Sequence, residues 1–485
     1  MEHTPQQKDF ITACMESSSS LILEACAGSG KTTSMVDGIN AMDPNVSVIA
    51  CAFNKRIAVE LGERMPPHVV SKTLNALGHG AWAQMLGKKR ITLEADKNYT
   101  IAKNMDVLKD FGQGPKLVAL AKAYGIVPKG AKGAAKGLVE DEDENWLDIM
   151  DAHDIDYNDS GPRMIRTCRE MLLESIKWAW EGVIDFDDQL YMSTLWNAPL
   201  LRAEVVMVDE AQDISHIQRK MLHRMAINRV VAVGDRHQAI YAFRGADHTS
   251  LDAIADETQA DMLPLTVSFR CPRAIVREAQ QYVPHIEPSD FASEGTVVQE
   301  DLNFQAFIPG DAIICRNNKP LVKMAFLLLG EGIRCKVLGR DIGKSIKNLV
   351  KKMDCHRLND LAEALQKYEL RMVNKFIAAG KEARAAALND KIESIFIMME
   401  HTEGDTVDDF YEVLDDLFSD RVAPITLCTI HKSKGLEWDN VYFLDSDLIP
   451  SKYAKSEAQL QQEHNLAYVA ITRAKQKLSY IFSPE

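Results

Sequence analysis

Short apolar runs alternate with longer amphipathic stretches along the first half of the chain. Runs of strand length cover residues 21–25, 46–53, 205–209 and 229–233, and apolar residues at helical spacing lie between them. This alternation is typical of a parallel sheet covered by helices. A second alternation begins near Leu265, and its strand-like runs cover residues 312–315, 335–338, 425–429, 441–444 and 478–482. The pattern predicts an α/β fold with two parallel-sheet domains in tandem.

Two segments interrupt the alternation, and both are predicted to be mainly helical insertions. The first covers residues 87–184, and the shorter second covers residues 342–420, where Leu361, Leu365 and Tyr368 have core-facing spacing. We therefore expect each sheet domain to be built from two separate stretches of chain. These stretches are residues 1–86 with 185–264 for the first domain and residues 265–341 with 421–485 for the second.

The apolar run at residues 21–25 leads into a glycine-rich turn that ends in a Lys-Thr pair. Such a turn closes backbone N–H groups round phosphate groups at a helix N-terminus, while Lys31 adds positive charge and Thr32 can bind Mg²⁺. Ala25 stands where the usual pattern has its first glycine. A glycine turn without a ligand is the alternative. The residues expected to bind a nucleotide here are Ala27, Gly28, Ser29, Gly30, Lys31, Thr32 and Thr33.

Two adjacent carboxylates, Asp209 and Glu210, end the apolar run that begins at Val205. Ligands of open α/β sheets bind at the carboxyl ends of the strands. Asp209 can hold Mg²⁺ beside Thr32, and Glu210 can polarise an attacking water, which is the division of labour that phosphoryl transfer to water requires. An acidic helix N-cap is the alternative, but it explains neither the preceding strand nor the glycine-rich turn upstream.

Residues 234–246 bring amide, aromatic and guanidinium groups together behind another apolar run. Gln238 and Arg244 can reach a phosphate or hold the loop. Tyr241 and Phe243 offer flat faces on which nucleobases stack, with each base worth about 1–3 kcal/mol. Taken alone, the segment is equally consistent with a buried aromatic hairpin. The predicted nucleotide site nearby favours the first interpretation.

Together with further motifs in the same order, these segments resemble superfamily 1A helicases of the UvrD/Rep type. The likeness extends from Thr4 to Ala474. The motif sequences are most similar to the compact F-box DNA helicase branch, although no F-box segment is evident. The resemblance implies two RecA-like domains with ATP and Mg²⁺ in the cleft between them. It also implies an ATP hydrolase that moves 3′ to 5′ along single-stranded DNA and separates strands at junctions with duplex.

The resemblance assigns further roles around the nucleotide. Gln7 matches the amide that reads adenine, and Phe269 matches the ring that stacks on adenine. Arg270 matches the arginine that reaches the γ-phosphate, and Arg473 takes the place of the arginine finger, for which a planar guanidinium is suited. Glu437 lies in the motif that couples nucleotide to strand. For either arginine, an ordinary surface side chain is the alternative. The expected catalytic residues are Lys31, Asp209, Glu210, Gln238, Arg270 and Arg473.

A set of strand-contacting residues also follows from the resemblance. Asn75 stands where many relatives have histidine. RNA is an alternative strand, because stacking and phosphate contacts do not by themselves read the 2′-hydroxyl. The residues expected to contact DNA are Phe53, Asn54, Lys55, Thr73, Tyr241, Phe243, Arg244, His431 and Trp438.

The overall charge is the one property that argues against nucleic acid. The chain of 485 residues carries a formal net charge of −14, whereas phosphate contacts depend on lysine and arginine. A locally basic groove would satisfy both facts, because part of the acidity is concentrated in residues 140–159. This tract is predicted to be a solvated face or a mobile loop, and competition with DNA for the groove is the alternative.

Cysteine usage and hydropathy bear on the compartment. The nine cysteines include no Cys-x-x-Cys pair, so reduced and mostly buried thiols are expected. No run of about 18 apolar residues occurs, so no membrane partner is expected. We expect a cytoplasmic protein, at the nucleoid or in a host cytoplasm, or a nuclear one in a eukaryote, with repair, recombination or replication proteins as possible partners.

Two other functions remain open at this point. One is a translocase that strips proteins from single strands and unwinds duplex poorly. The short second insertion is the observation that favours this function. A nucleotide-gated binding module would hydrolyse little ATP. The residues Glu210, Gln238 and Arg473 argue against such a module, since each has a role in hydrolysis.

Overall fold

The computed structural model describes residues 3–52, 54–87, 91–153, 155, 160–240, 249–378, 382–418 and 423–484. The chain forms two compact units. The first consists of Met1–Ala25 and Gly30–Leu265, and the second consists of Cys26–Ser29 and Thr266–Glu485. Each unit contains one six-stranded sheet in which all neighbouring strands are parallel. The predicted fold class, two parallel-sheet α/β domains with helical insertions, is confirmed.

The sheet of the first unit has the strand order β3-β2-β6-β7-β1-β8. Its strands are β1 Leu21–Ala25, β2 Val48–Ala52, β3 Val70–Thr73, β6 Ala203–Val208, β7 Ala226–Gly234 and β8 Asp261–Leu265. The inner strands are almost continuously apolar because helices cover both faces of the sheet. These helices are α1 Pro5–Glu16, α2 Lys31–Ala41, α3 Lys55–Arg64, α4 Leu74–Met85, α9 Phe186–Leu195, α10 His216–Met225 and α11 Ser250–Thr258.

The first insertion is mainly helical, as predicted. Its elements are β4 Thr92–Leu93, α5 Lys97–Asn104, α6 Gly114–Tyr124, α7 Asp143–Ala152, α8 Gly161–Glu181 and β5 Val183–Ile184. A buried cluster of charges joins it to the start of α9. Lys97 Nζ lies 2.6 Å from Asp188 Oδ2, and Lys122 Nζ lies 2.6 Å from Asp185 Oδ2 and 2.8 Å from Asp188 Oδ1. Buried charges need such partners, so the cluster fixes the insertion on the sheet domain.

The sheet of the second unit has the strand order β11-β16-β15-β12-β14-β13. Its strands are β11 Thr296–Gln299, β12 Ala312–Cys315, β13 Cys335–Leu338, β14 Ile425–Thr429, β15 Trp438–Leu444 and β16 Ala474–Ile481, and a separate pair comprises β9 Val267–Ser268 and β10 Glu287–Pro288. The covering helices include α12 Arg273–Ala279, α13 Asn318–Gly330, α18 Ile430–Ser433 and α19 Glu457–Ile471.

The second insertion consists of four helices. They are α14 Arg340–Met353, α15 Leu358–Ala378, α16 Glu382–Glu400 and α17 Val407–Leu417. Leu361 and Leu365 are fully buried, as their spacing predicts, whereas Tyr368 is half-buried at the edge of the same core. The insertion therefore packs directly on the second sheet domain.

Part of the acidic tract differs from its prediction, since Asp143–Ala152 form α7 and Asp141, Trp146 and Met150 are buried. Asp141 is not solvated, because it is buried and accepts hydrogen bonds from Trp146 Nε1 at 2.7 Å and Arg169 Nε at 2.6 Å. It also accepts from the backbone N–H of Lys129 at 2.8 Å. This carboxylate organises the insertion, and residues 154 and 156–159 of the tract lie outside the described residues.

All nine cysteines are free thiols, and seven of them are buried. Within the described ranges, no helix combines the length and the apolar character needed to cross a bilayer.

Candidate nucleotide and nucleic-acid site

The candidate residues of the first unit gather at one edge of its sheet. The strands are parallel, so their carboxyl ends lie together, and this is where open α/β sheets bind ligands. The glycine-rich turn follows β1, Asn54 and Lys55 follow β2, and Thr73 ends β3. Asp209 and Glu210 follow β6, and Gln238 follows β7.

Two glycines of the turn have backbone conformations that other residues avoid. Gly28 has φ +72° and Gly30 has φ +84°, both in the left-handed region. A Cβ on Gly28 would lie 2.5 Å from the Cβ of Arg270, and a Cβ on Gly30 would lie 3.1 Å from Gln7 Nε2. Glycine is therefore required for conformation and for close approach, as a phosphate-binding turn demands.

The four groups predicted to handle phosphate and metal lie next to one another. Lys31, the first residue of α2, places Nζ 3.5 Å from Glu210 Oε1. The carboxylate of Asp209 accepts a hydrogen bond from the backbone N–H of Glu210 at 2.9 Å, and the side chain of Thr32 favours its ionised form. Burial, followed by the nearby charge of Glu210, raises the pKa of Asp209 to about 6. A cation held here would favour the ionised carboxylate.

ATP and Mg²⁺ fit these residues. Mg²⁺ typically takes one or two protein ligands together with waters and substrate phosphates, which matches Thr32 and Asp209. No cluster of three or more metal-binding side chains occurs within the described parts of the chain. Ser29 Oγ is buried and receives no hydrogen bond from the described residues, so an acceptor such as a phosphate oxygen would satisfy it.

Gln212 links the segment after β6, which carries Glu210, to the segment after β7, which carries Gln238. The sequence pattern did not predict this role. Its Nε2 donates to Glu210 Oε2, and its Oε1 accepts from the backbone N–H of Asp235 at 3.0 Å. Asp235 in turn accepts from Gln238 Nε2 at 2.7 Å, and burial raises the pKa of its carboxyl. The network holds the predicted catalytic carboxylate and amide in place. The sequence feature that could have indicated this role is an amide side chain two positions after Glu210.

Gln7 stabilises the start of α1, in addition to its predicted role in reading adenine. Its Oε1 accepts from the backbone N–H of Thr4 at 3.0 Å, and Thr4 Oγ1 accepts from the backbone N–H of Gln7 at 3.2 Å. This reciprocal pair is a capping box at the start of α1, where Pro5 is the first helical residue. The side chain is buried, and its Nε2 faces Gly30.

Both predicted arginines are held by partners within the second unit. Arg270 Nε lies 2.6 Å from Glu437 Oε2, so two residues assigned to the nucleotide pair with each other. Arg473 is 1% exposed and donates from Nε to the carbonyl of Val469 at 2.9 Å and from Nη1 to the carbonyl of Leu436 at 3.1 Å. Arg473 is therefore not an ordinary surface arginine.

Arg473 lies just beyond the end of a helix, because α19 ends at Ile471. Thr472 caps the helix, and Ala474 begins β16. Arg473 thus lies in the tight connection between helix and strand, because the backbone turns there into the sheet.

The second unit, which includes Cys26–Ser29, holds the glycine-rich turn through residues that the sequence did not single out. The backbone N–H of Ala27 donates to Tyr468 Oη at 2.8 Å, and Ser268 Oγ donates to the carbonyl of Ala27 at 2.8 Å. The N–H of Phe269 donates to the carbonyl of Gly28 at 2.9 Å, and the ring of Phe269 is 37% exposed. Nothing in the sequence beyond their place in the motifs points to Tyr468 or Ser268.

Two of the residues expected to contact DNA are helix caps. Asn54 caps α3 by accepting from the N–H of Ile57 at 2.9 Å, and Thr73 caps α4 by accepting from the N–H of Ala76 at 3.1 Å. Lys55 is exposed in the first turn of α3.

His431 and Trp438 are the candidate DNA contacts of the second unit. Both are partly exposed, His431 on α18 and Trp438 at the start of β15. Phe53, Tyr241, Phe243 and Arg244 lie outside the described residues.

Two family models match the chain. The model described as the UvrD/REP helicase N-terminal domain matches residues 3–259, and the model described as the UvrD-like helicase C-terminal domain matches residues 335–485. The first match alone covers more than half of the chain.

Curated relatives give the same picture along most of the sequence. The chain is 26% identical to F-box DNA helicase protein 1 of Schizosaccharomyces pombe and 23% identical to F-box DNA helicase 1 of Gallus gallus, and 98% of the chain is covered in both cases. It is 24% identical to the ATP-dependent DNA helicase PcrA of Staphylococcus epidermidis over 55% of the chain and 38% of that protein. The chain spans 57% and 48% of the two F-box helicases, so it matches about half of their length.

Proposed function

The chain belongs to the UvrD/Rep helicase family, and from this premise we propose that it is an ATP-dependent DNA helicase that moves 3′ to 5′ along single-stranded DNA. The observation that carries the proposal is the adjacency of Lys31, Thr32, Asp209 and Glu210 behind a glycine turn at the carboxyl edge of a parallel sheet. These groups supply the positive charge, the metal ligands and the carboxylate that hydrolysis of a phosphoanhydride needs.

We assign the chemistry to this chain's residues as follows. Lys31 neutralises the β- and γ-phosphate oxygens, and Glu210 orients the attacking water and accepts its proton. Gln238 is hydrogen-bonded to Asp235, and it links the presence of the γ-phosphate to the conformation of the following loop. Thr32 and Asp209 would hold Mg²⁺, which supplies charge neutralisation at the phosphates when it is bound.

The second unit contributes the remaining charges of the proposed reaction. Arg270 binds the γ-phosphate after exchanging its Glu437 partner, and Arg473 stabilises the charge that develops in the transition state. Phe269 stacks on adenine while Gln7 reads the edge of the base. The proposal requires ATP to lie where residues from both sheet domains reach it, with the domains divided as the sequence suggests.

DNA binding is assigned to residues at the carboxyl edge and in the second unit. Lys55 and Thr73 contact phosphates, while His431 and Trp438 contact the strand on the second unit. Phe53, Tyr241, Phe243 and Arg244 complete the set from the sequence. A small number of such basic and aromatic groups is enough to bind single-stranded DNA despite the negative net charge, because base stacking adds about 1–3 kcal/mol per base. The partners would then be single strands, their junctions with duplex, and proteins of repair, recombination or replication.

Strand displacement on tailed duplexes tests the proposal. Purified protein should hydrolyse ATP faster with single-stranded DNA and should unwind 3′-tailed duplexes in preference to 5′-tailed ones. The Lys31→Ala variant should do neither. ATP turnover that is indifferent to DNA, together with no retention of oligonucleotide at low salt, would contradict the proposal.

A translocase that clears proteins from single strands is the second candidate. The observation that favours it is the small second insertion, α14 to α17, which packs as four helices on its own sheet domain. A protein-clearance assay run beside the tailed-duplex assay separates the two. Clearance with little unwinding of either duplex would establish the translocase.

A further inference from the structure

A cavity of 530 Å³ lies beside the nucleotide site, within the first unit. Its walls come from the carboxyl ends of β2, β3 and β6, from α6 of the insertion, and from the start of α9. Pockets of about 300–1,000 Å³ are of the size that takes small organic ligands. Only Asp209 and Thr73 belong to the site already described, so most of the lining has no assigned role.

The lining presents mainly apolar surface, with polar, acidic and basic side chains among it. Leu74, Leu190, Ile214 and Ile217 form much of the wall. A flat hydrocarbon body would be desolvated against these side chains, at about 25 cal/mol for each Å² of apolar surface removed from water.

Asp187 is the group in the lining that lacks a partner. Its carboxylate makes no hydrogen bond and no ion pair within 4 Å with any described residue, although it faces the cavity from the first turn of α9. The charges that act on it come from Asp185 and Asp188 on its own helix and from Lys122 on α6. Lys122 is already engaged by Asp185 and Asp188. Asp187 is half-buried, and an acceptor partly withdrawn from water without a donor is costly, so a ligand that brings donors would be favoured.

The sign of the remaining charges decides the chemistry of the ligand. Asp209 and Asp213 line the same cavity, so an anion is disfavoured. Lys116 is the basic residue of the lining, and its Nζ donates to the carbonyl of His153 at 3.0 Å. A planar amidinium offers two parallel N–H donors, which match the two oxygens of one carboxylate.

We propose that this cavity binds a small flat organic cation of the amidine class, with the amidinium on Asp187 and the ring against Leu74 and Leu190. The inference does not rest on the helicase activity, because the cavity and its unpartnered carboxylate exist whatever the chain does to DNA. Binding is therefore measured directly and not through ATP turnover.

Benzamidine is the probe, and benzamide is its neutral control. We expect calorimetry or ligand-observed NMR to show saturable benzamidine binding at millimolar concentrations and binding of benzamide at least tenfold weaker. Loss of one charge-assisted pair corresponds to about tenfold or more, so Asp187→Asn should weaken benzamidine by that factor. Asp110→Asn is the matched control, since this exposed carboxylate of the same unit pairs with Arg163 outside the cavity.

A second variant tests the cavity without touching the charge. Ala119 on α6 lines it and is half-buried, so Ala119→Leu fills space while leaving Asp187 in place. We expect Ala119→Leu to weaken benzamidine at least tenfold, and this variant carries the test if Asp187→Asn does not fold. Absence of saturable binding to the unmodified protein, equal binding of benzamide, or unchanged affinity in the folded variants would overturn the proposal.

Discussion

Replacement of Arg473 by alanine tests the reaction and the fold at the same position. An arginine finger contributes about 10³–10⁵ to the rate, or about 4–7 kcal/mol of barrier. The structure adds a second cost, because Arg473 donates to the carbonyls of Val469 and Leu436 at 2.9 and 3.1 Å. Hydrogen bonds from a charged group are worth about 1.5–3 kcal/mol each, so Arg473→Ala should also destabilise the second unit by a few kcal/mol.

Single-turnover hydrolysis at saturating single-stranded DNA separates these two effects. ATP binding, followed with a fluorescent nucleotide, should stay within a few fold, while hydrolysis falls by about 10³ or more. Arg316→Ala is the matched control, because Arg316 donates to the buried carboxylate of Glu463 at 2.6 and 2.7 Å in the same unit and has no proposed role with nucleotide. A folded Arg473→Ala protein that hydrolyses ATP within tenfold of the parent would refute the assignment, and an equal loss in Arg316→Ala would mark the effect as structural.

Three further predictions concern the first unit. Lys31→Ala should abolish DNA-stimulated ATPase activity, since phosphate charge is left uncompensated, and steady-state turnover near the normal rate would end the assignment. Lys122→Met should lower the free energy of unfolding by about 3–5 kcal/mol, measured in urea, because Asp185 and Asp188 lose a buried counter-ion. Burial raises the pKa of Asp187 to about 7 from 3.8, so the folded protein holds a proton that the unfolded chain releases, and this contribution to stability falls as the pH rises from about 4 to 7. Asp187→Asn should remove that dependence, which is worth at most about 4 kcal/mol, and parallel stability profiles of parent and variant would contradict it.

The inner strands of both sheets were predictable because they are buried on both faces and so are continuously apolar. In the two six-stranded sheets the pattern missed β3, β8 and β11, and all three are edge strands. An edge strand buries less of its surface, and β8 also contains Pro264, whose missing N–H is tolerated at an edge. Of the four edge strands in the two six-stranded sheets, the hydrophobic runs revealed only β13.

The candidate site was predictable where one short segment carries the chemistry. Lys31 and Thr32 follow a strand directly, and so do Asp209 and Glu210, so parallel strands alone bring them together. The pair of Arg270 with Glu437 joins residues far apart in the chain, and nothing local signals it. Asn54 and Thr73 are residue types that favour N-caps, so their capping roles follow from residue type, whereas the motif resemblance predicts only contacts with DNA.

The capping box at Gln7 has a consequence for which nucleotides the chain can accept. Its amide oxygen accepts from the N–H of Thr4, and its Nε2 is the atom turned towards Gly30, so in the proposed role the side chain would present its NH₂ group to a base on that side. Such a group complements a lone pair and offers no acceptor for an incoming hydrogen. A purine whose facing ring nitrogen carries a hydrogen would meet this amide donor to donor, so discrimination between adenine and guanine can originate in the folding of a single helical turn.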